Sequence, residues 1–420
     1  FFLSFCSFFS VSSLMQLLLL FLGVVGLVVS YDKECSYQGM IYSDTGVCEC
    51  FQCFSSGDCS TVDANCIVDV SAGSPGLYQE YWYNDPLNLL KESSDYRTPY
   101  QEYIPYAPDS ATNSSIPDGI HKVLVPQIQK VHSLYKNAVA EGRYIVPAYG
   151  CTNLFTAAAY AFSEMKRQET GDPNYQVKIY AKTPYYNGYP NMAYLFPGRM
   201  NFTTVEDYCE YDDIMEIVTY PNNPTGDFHT PTYPEAFHVY DSVYLWPSLV
   251  NYSEPLDVDV VLFSMSKATG HAGSRFGWAL VKDQNFANLM ADYMERASLE
   301  ISVDNQFRSL QVLKDLTNRP HTLFEYVKKV LQGRWSQALA TLAQQPDRFK
   351  QYAVPGTFYM LIECMDQGEK DNCYNTFYQN NIKGEPGPVF GLPNSYVRIE
   401  MVSHTPDFKI FMQNMNAMMS

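Results

Sequence analysis

Residues 260–282 read VVLFSMSKATGHAGSRFGWALVK, with two apolar runs on either side of a polar, glycine-rich turn. Two strands that flank a tight loop are expected here, and they would bring Lys267 and Arg275 into one cleft. A lone lysine is usually a solvated side chain. The alternative is a Schiff-base lysine, with Arg275 and the neighbouring serines around a phosphate group. Other parts of the chain decide between these two interpretations.

Apolar runs of strand length recur on the N-terminal side of this stretch and alternate with helical patterns. We predict strands at 143–148, 177–181, 214–219, 237–240 and 258–263. Gly150 is expected to form a turn after the first strand, and Thr152 or Asn153 to cap the helix that follows it. Because helices and strands alternate and the strands are apolar on both faces, the pattern predicts an α/β fold with a mostly parallel sheet.

The chain on either side of this sheet region has other patterns. Apolar residues recur at helical spacing over 120–140, which predicts an amphipathic helix that is broken near Pro126. Residues 67–120 have little periodicity and are interpreted as an arm or loop over a larger body. After Lys282 the pattern predicts helices at 286–297 and 307–316, an α+β lobe from about residue 325, a strand at 396–402 and a terminal helix.

The composition excludes several classes of protein. With 46% apolar and 17% charged residues in 420 positions, the chain is globular rather than disordered. The chain is longer than the length for which a single hydrophobic core usually suffices, so one large two-lobed unit with small appendages is expected. The net charge of -17 argues against binding to nucleic acid or to an anionic membrane surface. A phosphate-bearing ligand must therefore be held by a local site.

The N-terminal residues indicate a secretory route, to the outside of the cell or to the vacuole. An apolar run at 17–29 has the length of a signal-peptide core, and Met15 is a candidate start, which predicts a cleaved signal at 15–30. No basic residue precedes the run, and counted from Phe1 it also fits an N-terminal anchor helix. Secretion is supported by three glycosylation sequons, which begin at Asn113, Asn201 and Asn251.

Six of the eleven cysteines fall between residues 35 and 66, in a segment with few apolar residues. Such a segment is too small to form its own core and is typical of a disulfide-stapled module. A zinc knuckle is the alternative, since Cys50 and Cys53 have ligand spacing. No histidine or second CxxC pair completes a metal site, so no metal is expected. The cysteine spacing resembles an EGF-like module and leaves fifteen pairings open.

Polar and aromatic residues follow several of the predicted strands. Ligands of a parallel sheet bind at the carboxyl ends of its strands, so these residues are expected to meet in one cleft. A helix start there can bind an anion through its backbone N–H groups. The segments are the helix start YGCTN at 149–153, the aromatic segment TPYY at 183–186, the turn YPNNPTG at 220–226 and the strand-ending carboxylate Asp241.

Each of these residues has a structural alternative when it is taken alone. Tyr186 is compatible with packing, Asn223 with shaping a turn and Asp241 with capping. Arg275 is compatible with pairing to an acidic surface group. Their order along one α/β lobe favours function, because a lysine, an aspartate, an asparagine, a tyrosine, an arginine and a phosphate-binding helix start form the set that holds pyridoxal phosphate.

The motifs together resemble a known family. SMSKATGHAGSRFGWALVKD at 264–283, with YPNNPTG, TPYY and VYDSVYLWP upstream, closely resembles the plant alliinases, which are cysteine sulfoxide lyases of the pyridoxal-phosphate fold type I superfamily. The chain is also similar to their sister group, the tryptophan aminotransferases of auxin synthesis. The resemblance extends from Cys35 over nearly the whole chain. It implies an EGF-like module at 31–70, a large cofactor-binding domain with an N-terminal arm and a mostly parallel seven-stranded sheet at 71–322, and a smaller α+β domain at 323–420.

The resemblance also implies roles for individual residues. Lys267 would bind the cofactor covalently and later act as the general base. Arg398 would bind the substrate α-carboxylate, which the backbone of Gly73 would approach. The other implied contacts are Asp241 on the pyridine nitrogen, Asn223 and Tyr244 on the ring hydroxyl, Tyr186 against the ring, and Cys151, Thr152, Asn153, Ser266 and Arg275 around the phosphate.

Disulfides and a homodimer are implied by the same resemblance. The family's pairing would join Cys35 to Cys48, Cys50 to Cys59, Cys53 to Cys66, and Cys364 to Cys373. In the dimer, a tyrosine of the neighbouring subunit reaches the phosphate. Residues 93–118 have diverged at that place, so the candidates are Tyr100, Tyr103 and Tyr106. Where alliinases have serine followed by glycine, this chain has Ala72 and Gly73, so that substrate contact differs.

The implied catalytic residues serve two reactions equally. Loss of a sulfenate from Cβ, an α,β-elimination, would make the protein a carbon–sulfur lyase of S-substituted cysteine sulfoxides. Reprotonation at the C4′ carbon of the cofactor would make it an aminotransferase of tryptophan or other aromatic or neutral amino acids. The leader and the EGF-like module favour the lyase, and the module suggests a protein or glycan partner. A third hypothesis, a secreted binding protein with an idle catalytic lobe, disagrees with the intact set of site residues.

Overall fold

The computed structural model describes residues 35–42, 46–83, 119–121, 123–204, 213–299 and 301–420. Three predicted features lie outside these ranges: the signal at 15–30, the sequon at Asn113 and the candidate tyrosines Tyr100, Tyr103 and Tyr106. The other two sequon residues, Asn201 and Asn251, are exposed. None of the helices in the described ranges combines the length and apolar character needed to span a lipid bilayer.

A small module at the N-terminal end of the described chain is held by disulfides. The strands of this module are β1 (Gly39–Tyr42), β2 (Val47–Cys50), β3 (Phe54–Ser55) and β4 (Thr61–Val62). A further strand, β5 (Val68–Asp69), follows the module. β1 pairs with β2 and β3 with β4, and β4 is exposed along its length, so these pairs bury little apolar surface. The disulfides are the pairs that the resemblance implies: Cys35–Cys48, Cys50–Cys59 and Cys53–Cys66, and Cys364–Cys373 in the C-terminal part.

The central sheet has seven strands in the order β6-β12-β11-β10-β9-β7-β8. They are β6 (Tyr144–Ala148), β7 (Val177–Ala181), β8 (Met200–Thr203), β9 (Ile214–Thr219), β10 (Phe237–Asp241), β11 (Val260–Ser264) and β12 (Gly277–Val281). β12 runs antiparallel to its neighbours β6 and β11, and the other pairs of this sheet are parallel. The prediction of a mostly parallel sheet is therefore confirmed.

The stretch that begins at Val260 forms two adjacent strands of this sheet. β11 and β12 are buried along their whole lengths, and Val260 lies opposite Val281. Val260 and Leu262 pack into one hydrophobic core. Val261 and Phe263, which point to the other face, pack into a second core. Because both faces of the sheet are covered, both strands are apolar at nearly every position.

Helices cover both faces of the sheet. In chain order they are α1 (Gly76–Tyr83), α2 (Leu124–Tyr135), α3 (Cys151–Thr170), α4 (Pro190–Leu195), α5 (Met265–Ala268), α6 (Gln284–Ser298), α7 (Val303–Asn318), α8 (Thr322–Leu342), α9 (Gln367–Lys370), α10 (Cys373–Gln379) and α11 (Thr405–Met419). α3 and α6 contribute to the core on one face, and α2 and α7 to the core on the other. The helices predicted at 286–297 and 307–316 correspond to α6 and α7.

One prediction for the segments before the sheet is wrong. The break near Pro126 does not occur, because α2 runs without interruption and Pro126 lies in its first turn. A proline there removes no hydrogen bond, since the N–H groups of a first turn have no partner inside the helix. The first part of the segment that was interpreted as an arm or loop packs against the larger body, since Leu77, Tyr78 and Trp82 belong to its core. That part contains β5 and α1, and Tyr78 of α1 donates a hydrogen bond to the carbonyl of Lys267 at 2.9 Å.

The C-terminal lobe is an antiparallel sheet with flanking helices. Its strands are β13 (Phe349–Gln351), β14 (Tyr359–Cys364), β16 (Glu385–Pro386) and β17 (Tyr396–Glu400), in the order β13-β14-β17-β16. The predicted final strand and terminal helix are confirmed as β17 and α11. The short strand β15 (Ile382–Lys383) pairs with β5, so the chain that leaves the disulfide-linked module is tied to this lobe.

Candidate active site

The cleft at the carboxyl ends of the parallel strands is the candidate active site. It has a volume of about 320 Å³. The structure brings ten of the predicted site residues into its lining, namely Cys151, Thr152, Tyr186, Asn223, Asp241, Tyr244, Ser266, Lys267, Arg275 and Arg398. Asn153 is not in the lining, and its Oδ1 accepts a hydrogen bond from the N–H of Tyr149 at 3.3 Å. Gly73 follows a lining residue, Ala72.

Lys267 lies inside the cleft and not on the solvated surface. It belongs to α5, a four-residue helix that follows β11 directly and is capped by Ser264, whose Oγ accepts the N–H of Ser266 at 3.1 Å. The Nζ of Lys267 donates a hydrogen bond to the carbonyl of Gly73 at 2.9 Å and lies 5.4 Å from the centre of the Phe358 ring. The strand and its cap therefore present one primary amine to the cleft at a defined position.

Asp241, the last residue of β10, provides a buried carboxylate. Its side chain is 3% exposed, and its Oδ2 accepts a hydrogen bond from the hydroxyl of Tyr189 at 2.7 Å. Burial raises the pKa of Asp241 to about 6, against the opposing effects of Tyr189 and Lys267. A carboxylate whose charge is costly to bury favours a cationic partner, such as a protonated ring nitrogen.

Arg398 comes from the C-terminal lobe and is held from several sides. Its Nη1 donates to Oδ1 of Asn223 at 3.0 Å, and its Nη2 donates to the carbonyl of Ser71. The guanidinium lies between two rings, 4.1 Å from the centre of Tyr359 and 4.6 Å from that of Phe390. Its Nε is buried and has no hydrogen-bond partner among the described residues. The side chain is thus fixed and retains a donor for an anion.

Two phenols lie next to this arginine. The hydroxyls of Tyr244 and Tyr359 are 3.1 Å apart, and both side chains are buried. Burial alone would raise the pKa of Tyr359, but the positive charges of Lys267 and Arg398 outweigh it and lower that pKa. Burial raises the pKa of Tyr244 well above its usual value, and the neighbouring Tyr359 adds to this. Tyr244 is therefore a neutral hydroxyl that can donate a hydrogen bond.

The start of α3 forms one end of the cleft. The helix begins at Cys151 and Gly150 is its N-cap, so the prediction that Thr152 or Asn153 caps it is wrong. Gly150 has a φ of 79°, and a Cβ at this position would lie 3.0 Å from Nη2 of Arg275. Glycine leaves this space open, and the N–H groups of the first turn have no partner inside the helix. An anion fits between the helix start and the guanidinium.

Neutral polar groups complete this end. The Oγ atoms of Ser264 and Ser266 are 3.0 Å apart, and both serines line the cleft. Burial, with a smaller contribution from the charge of Asp241, raises the pKa of the Cys151 thiol well above its usual value. The thiol is consequently neutral and adds no charge that would repel an anion.

Gly73 needs to be glycine for two reasons. Its φ is 70°, which favours glycine, and a Cβ would overlap the hydroxyl of Tyr359. Its carbonyl accepts the amine of Lys267, while the carbonyl of Ser71 accepts the guanidinium of Arg398. Residues 71–73 therefore lie between the two cationic groups, and any side chain at position 73 would displace Tyr359.

The sequence reasoning missed several lining residues. The polar ones are Asn187, Ser264, Tyr359 and Glu385, and the others are Phe155, Val243 and Ala272. Tyr359 and Glu385 come from the C-terminal lobe, in β14 and β16, where the register places Glu385 opposite Arg398. A signal for Asn187 and Ser264 existed, because both follow or end predicted strands. No local pattern indicated Tyr359 or Glu385.

A family model described as allinase matches residues 68–419 of the chain. The chain belongs to the allinase family. An alliin lyase of Allium cepa var. aggregatum is 29% identical to it over 90% of this chain and 88% of that protein. Alliin lyase 2 of Allium sativum is 30% identical, over 88% of this chain and 81% of that protein. Tryptophan aminotransferase-related protein 3 of Arabidopsis thaliana is also 30% identical, over 89% and 85%.

Solved structures resemble this allinase-family chain in fold. An aspartate aminotransferase of Rhizobium meliloti superposes with a TM-score of 0.62 over 84% of this chain and 91% of that one, at 16% identity. A single mutant of the Thermus thermophilus enzyme gives 0.62 over 84% and 92%, at 15% identity. The predicted fold type I architecture is thus confirmed. The allinase family and the aminotransferases of this fold are pyridoxal-phosphate-dependent enzymes, and so is this chain.

The residues of the cleft fit pyridoxal phosphate. An anion can be received between the helix start and Arg275, in space that a Cβ at position 150 would fill. A buried carboxylate, Asp241, suits a protonated ring nitrogen, and Lys267 presents a primary amine between these two features. Phosphate, ring and aldehyde of the cofactor therefore each have a matching group in one cavity.

Proposed function

We propose that this protein is a carbon–sulfur lyase that acts by α,β-elimination on S-substituted cysteine sulfoxides. The observation that supports it most is the position of residues 71–73, whose carbonyls accept hydrogen bonds from both Lys267 and Arg398. This brings an amine and a guanidinium to one side of the cleft, as needed for an α-amino acid. Membership of the family that includes named alliin lyases favours the elimination.

In this proposal most of the cleft holds the cofactor, which when bound supplies an electron-accepting ring. Asp241 would hold the ring nitrogen, Asn223 and Tyr244 would hold the ring hydroxyl, and Tyr186 would pack against the ring. Gly73 contributes its backbone on the substrate side. The groups proposed for the phosphate are Cys151, Thr152, Asn153, Ser266 and Arg275.

Arg398 and Lys267 act on the substrate itself. The guanidinium of Arg398 binds the α-carboxylate by two parallel hydrogen bonds and so fixes the direction of the Cα–H bond. The amine of Lys267 takes the Cα proton as general base. The electron pair of the Cα–H bond then expels the sulfenate from Cβ, and the released enamine hydrolyses to pyruvate and ammonia. The buried rings around Arg398 keep water away from this step.

An aminotransferase is the second candidate. Tryptophan aminotransferase-related proteins are as similar to this chain as the alliin lyases are, at 30% identity for one of them. The same lysine and arginine would serve this reaction, in which Lys267 would carry the proton taken from Cα and no bond at Cβ would break. The substrates would be tryptophan or other aromatic or neutral amino acids.

The organisation around the cleft is also proposed. A homodimer, with a tyrosine from 93–118 of the partner subunit at the phosphate, follows from the family resemblance. The disulfides favour an oxidising compartment, and we propose the secretory pathway with an extracellular or vacuolar destination. The proposed domain limits are 31–70 for the EGF-like module, 71–322 for the large domain and 323–420 for the small one.

Two assays on the purified holoenzyme test the function. We expect pyruvate and ammonia in equal amounts from S-methyl- and S-propyl-cysteine sulfoxides, measured by a coupled dehydrogenase assay. Transfer of the amino group from tryptophan to a keto acid is measured in parallel by chromatography of both products. Amino transfer without pyruvate release would overturn the lyase proposal in favour of the second candidate.

A further inference from the structure

Glu385 is a charged residue of the cleft without a role in the chemistry above. It lies in β16, in register with Arg398 of β17, and its half-buried side chain lines the cleft. Among the described residues, its carboxylate has no hydrogen bond and no ion pair. Its cationic neighbours are engaged elsewhere. Lys383 pairs with Asp69 at 2.6 Å, and Arg398 donates to Asn223 and Ser71.

The proposed function assigns a partner to each charged residue of the lining except this carboxylate. The lining contains three cations, Lys267, Arg275 and Arg398, and two carboxylates, Asp241 and Glu385. In the proposed function Arg275 binds the phosphate, Asp241 the ring nitrogen and Arg398 the substrate carboxylate. Glu385 is then the one charged residue of the described lining to which the proposed function gives no partner, and the only cation of the lining that attracts it, Arg398, is assigned to the substrate carboxylate.

Burial makes this arrangement unfavourable in the absence of a ligand. Burial raises the pKa of Glu385, and the attraction of Arg398 offsets the effect only in part. A half-buried carboxylate gains from a cation or a hydrogen-bond donor supplied by a ligand. Its strand neighbour Arg398 holds one end of the amino acid, so the ligand group that reaches Glu385 belongs to the same molecule.

The other lining residues without a role in the proposed function offer the substrate little polarity. Ala72, which lines the cleft where alliinases have serine, has no side-chain donor or acceptor. The other unassigned polar groups are partly engaged: Tyr359 with Tyr244, and Ser264 with Ser266. Glu385 and Asn187 are therefore the lining residues available to recognise a polar side chain of the substrate. Of these two, Glu385 is the charged one.

We propose that Glu385 determines substrate specificity by binding a positively charged group at the end of the substrate side chain. The inference rests on the proposed function for its substrate class, cysteine sulfoxides whose S-substituent ends in an ammonium group. Glu385 acts on binding and takes no proton or leaving group. A neutral S-alkyl substrate would place a methyl group against a carboxylate and leave the charge unpaired.

The substrate pair for the test is S-(2-aminoethyl)-L-cysteine sulfoxide and S-propyl-L-cysteine sulfoxide, which have the same chain length and differ in one terminal group. We expect Glu385→Gln to lower the ratio of kcat/KM for the two by about tenfold, mainly through KM of the amino compound. Glu385→Asp keeps the charge and is expected to retain most of the preference. Glu385→Lys is expected to reverse it.

A binding measurement separates this inference from the reaction type. α-Methyl-L-lysine and 2-amino-2-methylheptanoate match the two substrates in length and lack a Cα proton, so neither elimination nor amino transfer can begin. Calorimetric titration of the holoenzyme is expected to show tighter binding of the lysine analogue, and loss of this difference in Glu385→Gln. The result holds for a lyase and for an aminotransferase alike.

The matched control is Glu235→Gln, which removes the same charge at an exposed position outside the lining. It is expected to leave both ratios unchanged. Glu385 could instead serve only to orient Arg398. In that case Glu385→Gln would weaken the amino and propyl ligands by the same factor, and this outcome, or a ratio within twofold of the unmutated protein, would overturn the inference.

Discussion

The two sides of the cleft are built in different ways. On the cofactor side, Cys151, Asn223, Asp241 and Lys267 each follow or end a strand of one parallel sheet. On the substrate side, Ser71 and Arg398 are 327 residues apart in sequence and meet because the chain at β5 is bound to the C-terminal lobe, by pairing with β15 and by the N–H of Glu400, which donates to the carbonyl of Val70. One side depends on local chain geometry and the other on the docking of two distant segments.

The two sides also differ in how completely their polar groups are paired. On the cofactor side, Asp241 accepts a hydrogen bond from the hydroxyl of Tyr189, and Ser264 and Ser266 bond to each other. On the substrate side the buried Nε of Arg398 has no hydrogen-bond partner among the described residues, and the half-buried Glu385 interacts with Arg398 only through its charge. Paired groups preserve a geometry, whereas unpaired groups select a ligand. We therefore expect cofactor-side changes to abolish activity and substrate-side changes to alter selectivity.

The largest effect is expected from the centre of the cofactor side. In the proposed function Lys267→Ala removes both the covalent attachment and the general base, so kcat should fall by about 10³-fold or more and the visible absorbance of the bound cofactor should shift. Pyruvate release and the absorption spectrum measure the two effects. Lys282→Ala, which removes a half-exposed lysine paired with Asp257 at 3.1 Å, is the control. Retained turnover in Lys267→Ala would remove the lysine from the mechanism.

A smaller effect is expected from the substrate side. Arg398→Lys keeps the charge but loses the planar fork, so kcat/KM should fall by about 10²-fold, mostly through KM, with cofactor absorbance unchanged. Steady-state kinetics and the spectrum are measured together, with the exposed Arg296→Lys as control. Loss of the cofactor in Arg398→Lys would show that the substrate side and the cofactor side of the cleft cannot be changed independently. The link between them would be the hydrogen bond from Arg398 to Asn223.

The smallest effect concerns pH. Glu400 follows Arg398 by two residues in β17. Its side chain is buried and accepts a hydrogen bond from the N–H of Ser74 at 2.6 Å. Burial raises its pKa from the usual 4.5 to about 7, and burial together with Glu400 raises that of Asp407 to about 7. Since both folded-state values lie above the unfolded ones, their stabilising contribution is complete below about pH 4 and is lost as the pH rises through 7.

We accordingly expect the Tm to be lower at pH 8 than at pH 5.5 by a few degrees, measured by scanning calorimetry of the holoenzyme. Glu400→Gln, which cannot ionise, should reduce this difference, while the exposed Glu254→Gln should not. A pH dependence that is unaltered in Glu400→Gln would show that the segment around Ser74 does not respond to this carboxyl group. The difference between the two sides would then rest on Arg398 and Glu385 alone.

Local pattern predicted the cofactor side because each of its residues stands next to a strand. β9 was predicted at its observed limits, 214–219, and the turn after it places Asn223 in the cleft. The predicted N-cap of α3 was wrong. The N-cap is Gly150, whose φ of 79° is a backbone conformation that favours glycine over the hydroxyl- and amide-bearing residues that usually cap helices. Helix α1 was missed because its eight residues are too few for a clear apolar period.

The sequence by itself determined the α/β fold, the family and the lysine of residues 260–282, since alternating apolar runs and strand-end residues are read within short windows. Only the tertiary structure decided that Gly73 approaches Lys267, that Tyr359 lies under Arg398 and that Glu385 enters the cleft. These contacts depend on the register of β16 with β17 and on the pairing of β5 with β15. Such long-range pairing follows from the packing of the whole chain, which no short window contains.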